Sequence, residues 1–344
     1  MHLGSLRSFL LMRLILTIPT ILVLLTLVFL ITHVMPGDPV RSIVGMYAPE
    51  KTILELRHAL GLVDAKGNPI PLYIQFLNYV VGVFRGDLGN SLIWGRQPVM
   101  VEVELYLPAT LELTIWGFII SIIIGLCAGV LSALKRGTVV DHALRIYGIV
   151  AYALFIPWIG MLTQMLFAVN LHLLPVAGRI DPGIDIQRIT GLYVLDSVLT
   201  GNWVGLYSAV RHLILPSLIL GIMLSGVFCR LSRNSVLEVL SQDFITAIRA
   251  RGLPERAVMK HALKNAFIPI LTMMGLEFAM LLTGAVLTET TFSWPGIGSF
   301  LIDRITYRDY NSLQGTVVIF AIMISVVSLI VDVVYAFIDP RIRF

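Results

Sequence analysis

Four polar side chains stand inside long apolar runs and are the residues best placed to do chemistry: Glu112, Gln164, Glu277 and Asp332. Ionisable and amide groups are costly in hydrocarbon, so they face a cavity or another helix. Two chemistries fit. Glu277 and Gln164 are candidates for a translocation path, where they would meet a charged terminus of a transported solute. The same groups can also hydrogen-bond between helices, worth about 0.6–2 kcal/mol each. For Glu277, Glu112 and Asp332 that structural reading weighs more. No carboxylate–histidine relay accompanies them, which speaks against proton coupling. The seven histidines are scattered without ligand spacing, and His142 and His261 fall in polar loops. No G-x-x-x-x-G-K-[ST] phosphate loop and no H-E-x-x-H occurs, and Gly296 and Gly298 lack the rest of a dinucleotide fingerprint. Cys127 and Cys229 lie in apolar runs, where soft packing is their role. The sequence therefore predicts no catalytic residues, no metal site and no cofactor bound by this chain.

The elements that would position these residues are membrane spans. Mean hydropathy is +0.88 and 13% of residues are charged, against about 25% in soluble domains. An all-α membrane protein with about six transmembrane helices is expected. The runs are Leu10–Thr32, Pro108–Leu134, Leu144–Asn170, Leu213–Leu231, Phe267–Leu287 and Val317–Phe337, each long enough for a bilayer that needs about 20 residues. The apolar stretch of the first, Leu14–Thr32, is too long for a signal-peptide core of about 7–15 residues. Lys and Arg gather in the short loops before the first run and after the second, fourth and sixth. That bias places both termini in the cytoplasm. It also accounts for the net charge of +4, so no nucleic-acid partner is expected. The expected division is an N-terminal span over 1–34, an extracytoplasmic segment over 35–107, a core over 108–338 and a tail over 339–344. Within 35–107, short helices opened by Pro49 and Pro71 would lie on the outer membrane surface or cover a pore mouth. A second outer segment, 171–211, is rich in Gly, Pro and Asp. A third holds FSWPGIGSF, with Trp294 and Tyr307 suited to the headgroup level. Gly275, Ala279, Gly284 and Ala285 mark one side of the fifth run for close packing.

One polar interruption differs from the other loops. Between Asp243 and Asn265 the chain carries Arg249, Arg251, Arg256, Lys260 and Lys264 against Asp243 and Glu255. Ser241 or Asp243 can cap a helix that puts Phe244 and Ile248 on one face. Gly252 can end it with a positive φ, and Pro254 can open a second short helix. A helix–Gly–helix knob within 235–265, presenting apolar residues from a membrane surface, is a docking element for a partner.

This knob and its surroundings resemble the permease subunits of ABC importers of the dipeptide/oligopeptide class, the binding-protein-dependent inner-membrane components. The run Thr246, Ala247, Ile248 and then Gly252 aligns with that family's E-A-A…G signature, from which the peptide branch departs. HALKNAFIP, LTETTFSWPGIGSFLIDRITYRDY (Leu287–Tyr310), HVMPGDPV (His33–Val40), GDLGNS (Gly86–Ser91), LKRGTVVDH (Leu134–His142) and terminal DPRIRF match in order along nearly the whole chain. The resemblance implies the type I importer permease fold, in the inner membrane, alternating access, and a pore formed with a second homologous permease. It implies two cytoplasmic ABC ATPases, which carry the ATP and Mg²⁺, and an extracytoplasmic substrate-binding protein. Thr246, Ala247 and Gly252 would then meet the ATPase, with Asp243, Arg251 and Glu255 nearby. Short peptides are the expected cargo; oligosaccharides, glutathione and nickel complexes are the alternatives. An ion-coupled secondary transporter, an intramembrane enzyme and a non-transporting scaffold are the competing classes.

Overall fold

The computed structural model describes residues 3–34, 40, 48–59, 61–64, 67–93 and 97–338. The tail 339–344, most of HVMPGDPV and the Asp332 side chain lie outside the described residues. Regular structure among the described residues is helical: α1 (Leu3–Val34), α2 (Glu50–Ala59), α3 (Leu72–Phe84), α4 (Val99–Leu134), α5 (Val139–Ala153), α6 (Ile156–Thr163) with a π-helical extension (Gln164–Asn170), α7 (Tyr193–Thr200), α8 (Trp203–Leu240), α9 (Asp243–Ala250), α10 (Glu255–Thr291), α11 (Ile297–Thr306) and α12 (Tyr310–Ile338).

Each expected span falls on helix, with differences that have local causes. Among the described residues, four stretches are long and apolar enough to cross a membrane: α4, α8, Met273–Thr291 of α10 and Tyr310–Val331 of α12. The third expected run is broken, because α5 and α6 meet at 101° and together make a fifth span only if the bent pair counts as one. Pro157 explains the break. It has no N–H to give the carbonyl of Ala153, where α5 stops. In α1 the apolar stretch among the described side chains is Ile15–Ile31. α8 begins ten residues before the expected Leu213, at Trp203, because Asn202 caps it by accepting the Gly205 N–H at 2.8 Å.

The chain forms two compact units. The first comprises 1–10, 108–298 and 326–344. α8 is its axis, mostly buried, with α5 and α10 packed along it. Glycines permit that closeness. A Cβ at Gly125 or Gly129 of α4 would run into Phe228 and Ser232 of α8, and one at Gly226 would strike the Gly148 carbonyl of α5. The G-x-x-x-G spacing of Gly125 and Gly129 is thus a helix-packing face. In α10, Gly275 meets Val331 and Gly284 meets Leu220. The main core gathers Leu113, Leu220, Phe228, Leu281, Ala285 and Trp294. Trp294 is buried, and its indole N–H donates to the Ala109 carbonyl at 2.9 Å. The headgroup position expected for it is therefore corrected, while Tyr307 is exposed.

The second unit comprises 11–107 and 299–325. Phe29 of α1 packs against Phe76 and Tyr79 of α3, and Tyr106 stacks on Phe300. Its organising group is Asp309, which is fully buried. Asp309 accepts from Ser91 Oγ at 2.6 Å, Leu92 N at 3.2 Å and Ser312 Oγ at 2.7 Å. Arg304, between Asp309 and buried Glu102, donates to Glu102 at 2.8 Å. Asn311 Nδ2 donates to the Asn90 carbonyl. GDLGNS and RDYNS, far apart in sequence, are thus two halves of one polar clasp.

Candidate functional site

The polar interruption folds as a rigid knob with its own small core. α9 buries Ile245, and Phe244 and Ile248 pack beside it against Val236 and Val239 of α8, Val258, Ala262 and Ala266 of α10, and Ala133 of α4. The apolar pair expected to face a partner is therefore used internally. What α9 leaves exposed is a different surface, comprising Asp243, Thr246, Ala247, Arg249 and Ala250, continued by Arg251, Gly252 and Glu255. All six predicted docking residues lie on it.

The local chemistry is as expected at the turn and different at the cap. Gly252 has φ +76°, and its N–H donates to the Arg249 carbonyl at 2.9 Å. Gln242 occupies the cap position without a side-chain hydrogen bond, and Ser241 Oγ donates back to Glu238. Asp243 therefore contributes only its charge, at the positive end of α9. Pro254 does not open a second short helix. It caps α10, which runs without interruption for 37 residues, about 56 Å at 1.5 Å per residue. That exceeds a hydrocarbon core of about 30 Å. The start of α10 must project beyond the bilayer, carrying α9 with it. Arg249 and Glu255 bridge the turn at 2.9 Å, both well exposed. Such a pair adds about 0–1 kcal/mol.

A second lock braces the same end. Asp141, at the start of α5, is buried. It accepts Ser132 Oγ at 2.6 Å, Gly137 N at 3.0 Å, and both Arg233 Nε at 2.8 Å and Nη2 at 3.0 Å. The two-pronged Arg233 contact fixes α8 to the α4–α5 turn with directional, charge-assisted bonds. LKRGTVVDH is this turn. The α9 knob thus shares a core with α4, α8 and α10, and Arg233 ties α8 to the α4–α5 turn beside it.

The translocation candidates occupy different settings. Glu277 is buried in α10 with Oε2 unpartnered. Gln164 donates through Nε2 to the carbonyls of Val176 (2.9 Å) and Thr291 (3.1 Å), tying the π-helical extension to the end of α10. Neither hydrogen bond of Gln164 reaches Glu277, so the two are not joined. Cys229 is buried and Cys127 exposed.

Around Pro108, inside the first half of α4, the structure holds a set of buried pairs of which the sequence points only to Glu112, in the hydrogen-bonding role favoured for it. Glu112 accepts Arg179 Nε at 3.0 Å and the Val194 N–H at 2.7 Å, and it forms a second bond with Arg179 Nη2. Arg179 also donates to the Gly191 carbonyl and lies 3.7 Å over the Tyr193 ring. Thr110 Oγ1 donates to Glu289 at 2.6 Å and accepts the Ile297 N–H at 2.8 Å. A Cβ at Gly296 would collide with the Glu289 carboxylate. The W-P-G-I-G turn is therefore shaped to fold over a buried acid. The visible signal was an Arg in an outer segment and a Glu within an otherwise apolar run.

The 171–211 segment is ordered by Asp196, which is buried at the first turn of α7. Burial works against its ionisation. Thr190 Oγ1 and the N–H groups of Thr190, Gly191 and Ile189 outweigh that and hold the carboxyl below its usual range. A lowered folded-state value contributes stability fully above the unfolded value of about 3.9, and loses it as pH falls through the folded value. Asp196→Asn is expected to lower the thermal midpoint by a constant amount between about pH 8 and 5. The gap from the unmodified chain should close only below about pH 4. Melting both proteins across that range checks it; a gap that widens on acidification contradicts the assignment.

Comparison with known proteins identifies the family. Residues 125–344 match the family model described as "Binding-protein-dependent transport system inner membrane component", and 6–101 match its N-terminal companion. The di/tripeptide transport system permease protein DppB of Pseudomonas aeruginosa is 42% identical, covering 98% of each chain. The glutathione transport system permease protein GsiC of Salmonella choleraesuis is 37% identical, covering 98% of this chain and 99% of that one. Among solved structures, an inward-facing MetNI methionine ABC transporter chain aligns with a TM-score of 0.48 and 15% identity, covering 67% of this chain and 93% of that one. The chain belongs to the family of binding-protein-dependent transport system inner membrane components and is a multi-pass membrane subunit of a transport system.

Proposed function

We propose that this chain is the pore-forming permease subunit of an ATP-driven importer of short peptides. The carrying observation is the pair of relatives aligned over 98% of this chain, one named for di- and tripeptides and the other for glutathione, itself a tripeptide. The chain pairs with a second homologous permease. Two cytoplasmic ATPases clamp the knobs of the paired permeases, one of them docking on the exposed face of this chain's α9 through Thr246, Ala247, Arg251 and Gly252, with Asp243 and Glu255 at its margins. A binding protein delivers substrate from the opposite side. The knob end faces the cytoplasm, supported by the clustering of Lys135, Arg136, Arg249, Arg251, Arg256 and Lys260 there.

The mechanism follows from the rigidity of the knob. ATP-driven approach of the ATPases displaces α9. Because α9 shares a core with the ends of α4, α8 and α10, it cannot slide independently, and the spans tilt with it between inward- and outward-open states. Glu277 is the candidate to meet a substrate ammonium within the path, with Gln164 positioning the end of α10.

Proteoliposomes holding the chain with the proteins that co-purify from native membranes test this reading. ATP-dependent accumulation of a labelled dipeptide is expected, competed by di- and tripeptides and not by an oligosaccharide or a nickel chelate. Uptake that survives without ATP and collapses with an ion gradient would replace the importer with a secondary transporter.

A further inference from the structure

We propose that α3 lies in the membrane interface with its exposed face seated among lipid acyl chains, anchoring the segment that leads into GDLGNS. The sequence LYIQFLNYVVGVF contains no charged residue, and none of its residues is buried. Tyr73, Leu77, Val81 and Phe84 recur at i, i+4, i+8 and i+11, so they share one face. Tyr73 is 67%, Leu77 56% and Phe84 63% exposed, and Ile74 flanks them. The opposite face holds Phe76 and Tyr79, which pack on Phe29 of α1 with ring centroids 5.3 and 6.0 Å away. Gln75 Nε2 is occupied by the Ile70 carbonyl at 2.6 Å. A helix facing water carries its polar residues outward; this face of α3 presents Tyr73, Leu77, Val81 and Phe84 instead.

Length and depth decide the occupant. Thirteen residues extend about 20 Å, short of a hydrocarbon core of about 30 Å, so α3 cannot cross. It rests on α1 at Phe29, two residues before the end of the apolar stretch Ile15–Ile31. There α1 itself exposes Leu27, Leu30 and Ile31. The exposed face of α3 continues this lipid-facing wall at the level where it ends. Such a helix sinks its apolar face about 5–10 Å into the boundary between headgroups and chains. Tyr73 near one end and Arg85 just past the other suit headgroup contact. Beyond Arg85 the chain turns at Gly86 (φ +78°) and enters the clasp on Asp309. The lipid seat therefore sets the height of that clasp in the membrane.

The test is nitroxide accessibility in the intact transporter, reconstituted in phosphatidylethanolamine/phosphatidylglycerol vesicles. Cys127→Ser and Cys229→Ala clear the background. Single labels are then placed through Leu77→Cys, Val81→Cys and Phe84→Cys, with Asn68→Cys as an exposed loop control. The expected result is an oxygen-to-nickel-chelate accessibility ratio at 77, 81 and 84 several-fold above that at 68. High nickel accessibility at 77 and 84 would place the face in water. Low accessibility to both reagents, or protection only after the binding protein is added, would make it a protein contact. Either outcome overturns the proposal.

Discussion

Arg179→Met is expected to cost about 3–5 kcal/mol of stability, the range for removing one partner of a buried ion pair. The side chains of Arg179 and Glu112 are 6% and 3% exposed. Without the guanidinium, Glu112 keeps the Val194 N–H but loses its countercharge, and the Gly191 carbonyl loses its donor. The 171–211 segment would lose its main tie to α4. The measurement is the fraction of monodisperse protein remaining after stepped heating in detergent, followed by size-exclusion chromatography. The double variant Glu112→Gln, Arg179→Met should recover part of the loss, because a neutral amide tolerates the site better than a lone carboxylate. The two changes share a partner and will not add. An unchanged midpoint for Arg179→Met would mean that the pair contributes nothing to the fold.

Gly252→Val is expected to abolish ATP-driven uptake while leaving membrane insertion and the thermal midpoint of the spans nearly unchanged. A Cβ at this position meets nothing within 4 Å, so the substitution creates no clash. Its cost is backbone strain alone. Holding φ at +76° costs a β-branched residue about 1–3 kcal/mol. The least expensive relief is to let the turn re-form, which displaces Arg251 and the exposed end of α9 from the surface assigned to the ATPase. Gly252→Asn provides the control, since Asn enters the left-handed region readily, and it should retain most transport. Gly252→Pro adds the loss of the N–H that bonds Arg249 and should behave like Val. Uptake and ATPase recovery on purification are measured for all three. Undiminished uptake by the Val variant would remove Gly252 from the coupling surface.

Much of the architecture was legible from residues in short windows. Runs of about 20 apolar residues locate spans because a bilayer imposes that length. Gly252 was identified as a positive-φ position because only glycine closes a helix that way without cost, and the structure places it there. The same local logic found Phe244 and Ile248 on one side of α9. It misassigned what covers them, since an amphipathic pattern gives a face and not its occupant. Pro254 marked a helix start correctly, but its position relative to the next span allowed a separate short helix that α10 does not contain.

The sequence by itself determined the class of protein, the order of the helices and the turn chemistry of the knob. These depend on transfer free energies and backbone preferences that act over a few residues. Tertiary structure decided the roles of the buried charges. Glu112 finds Arg179 across 67 positions, Asp141 finds Arg233 across 92, Thr110 finds Glu289 across 179 and Ser91 finds Asp309 across 218. A carboxylate inside an apolar run announces that it needs a partner, because an unpaired charge there is too costly to keep. Which partner it obtains depends on which helices meet and at what height, and no local period records that.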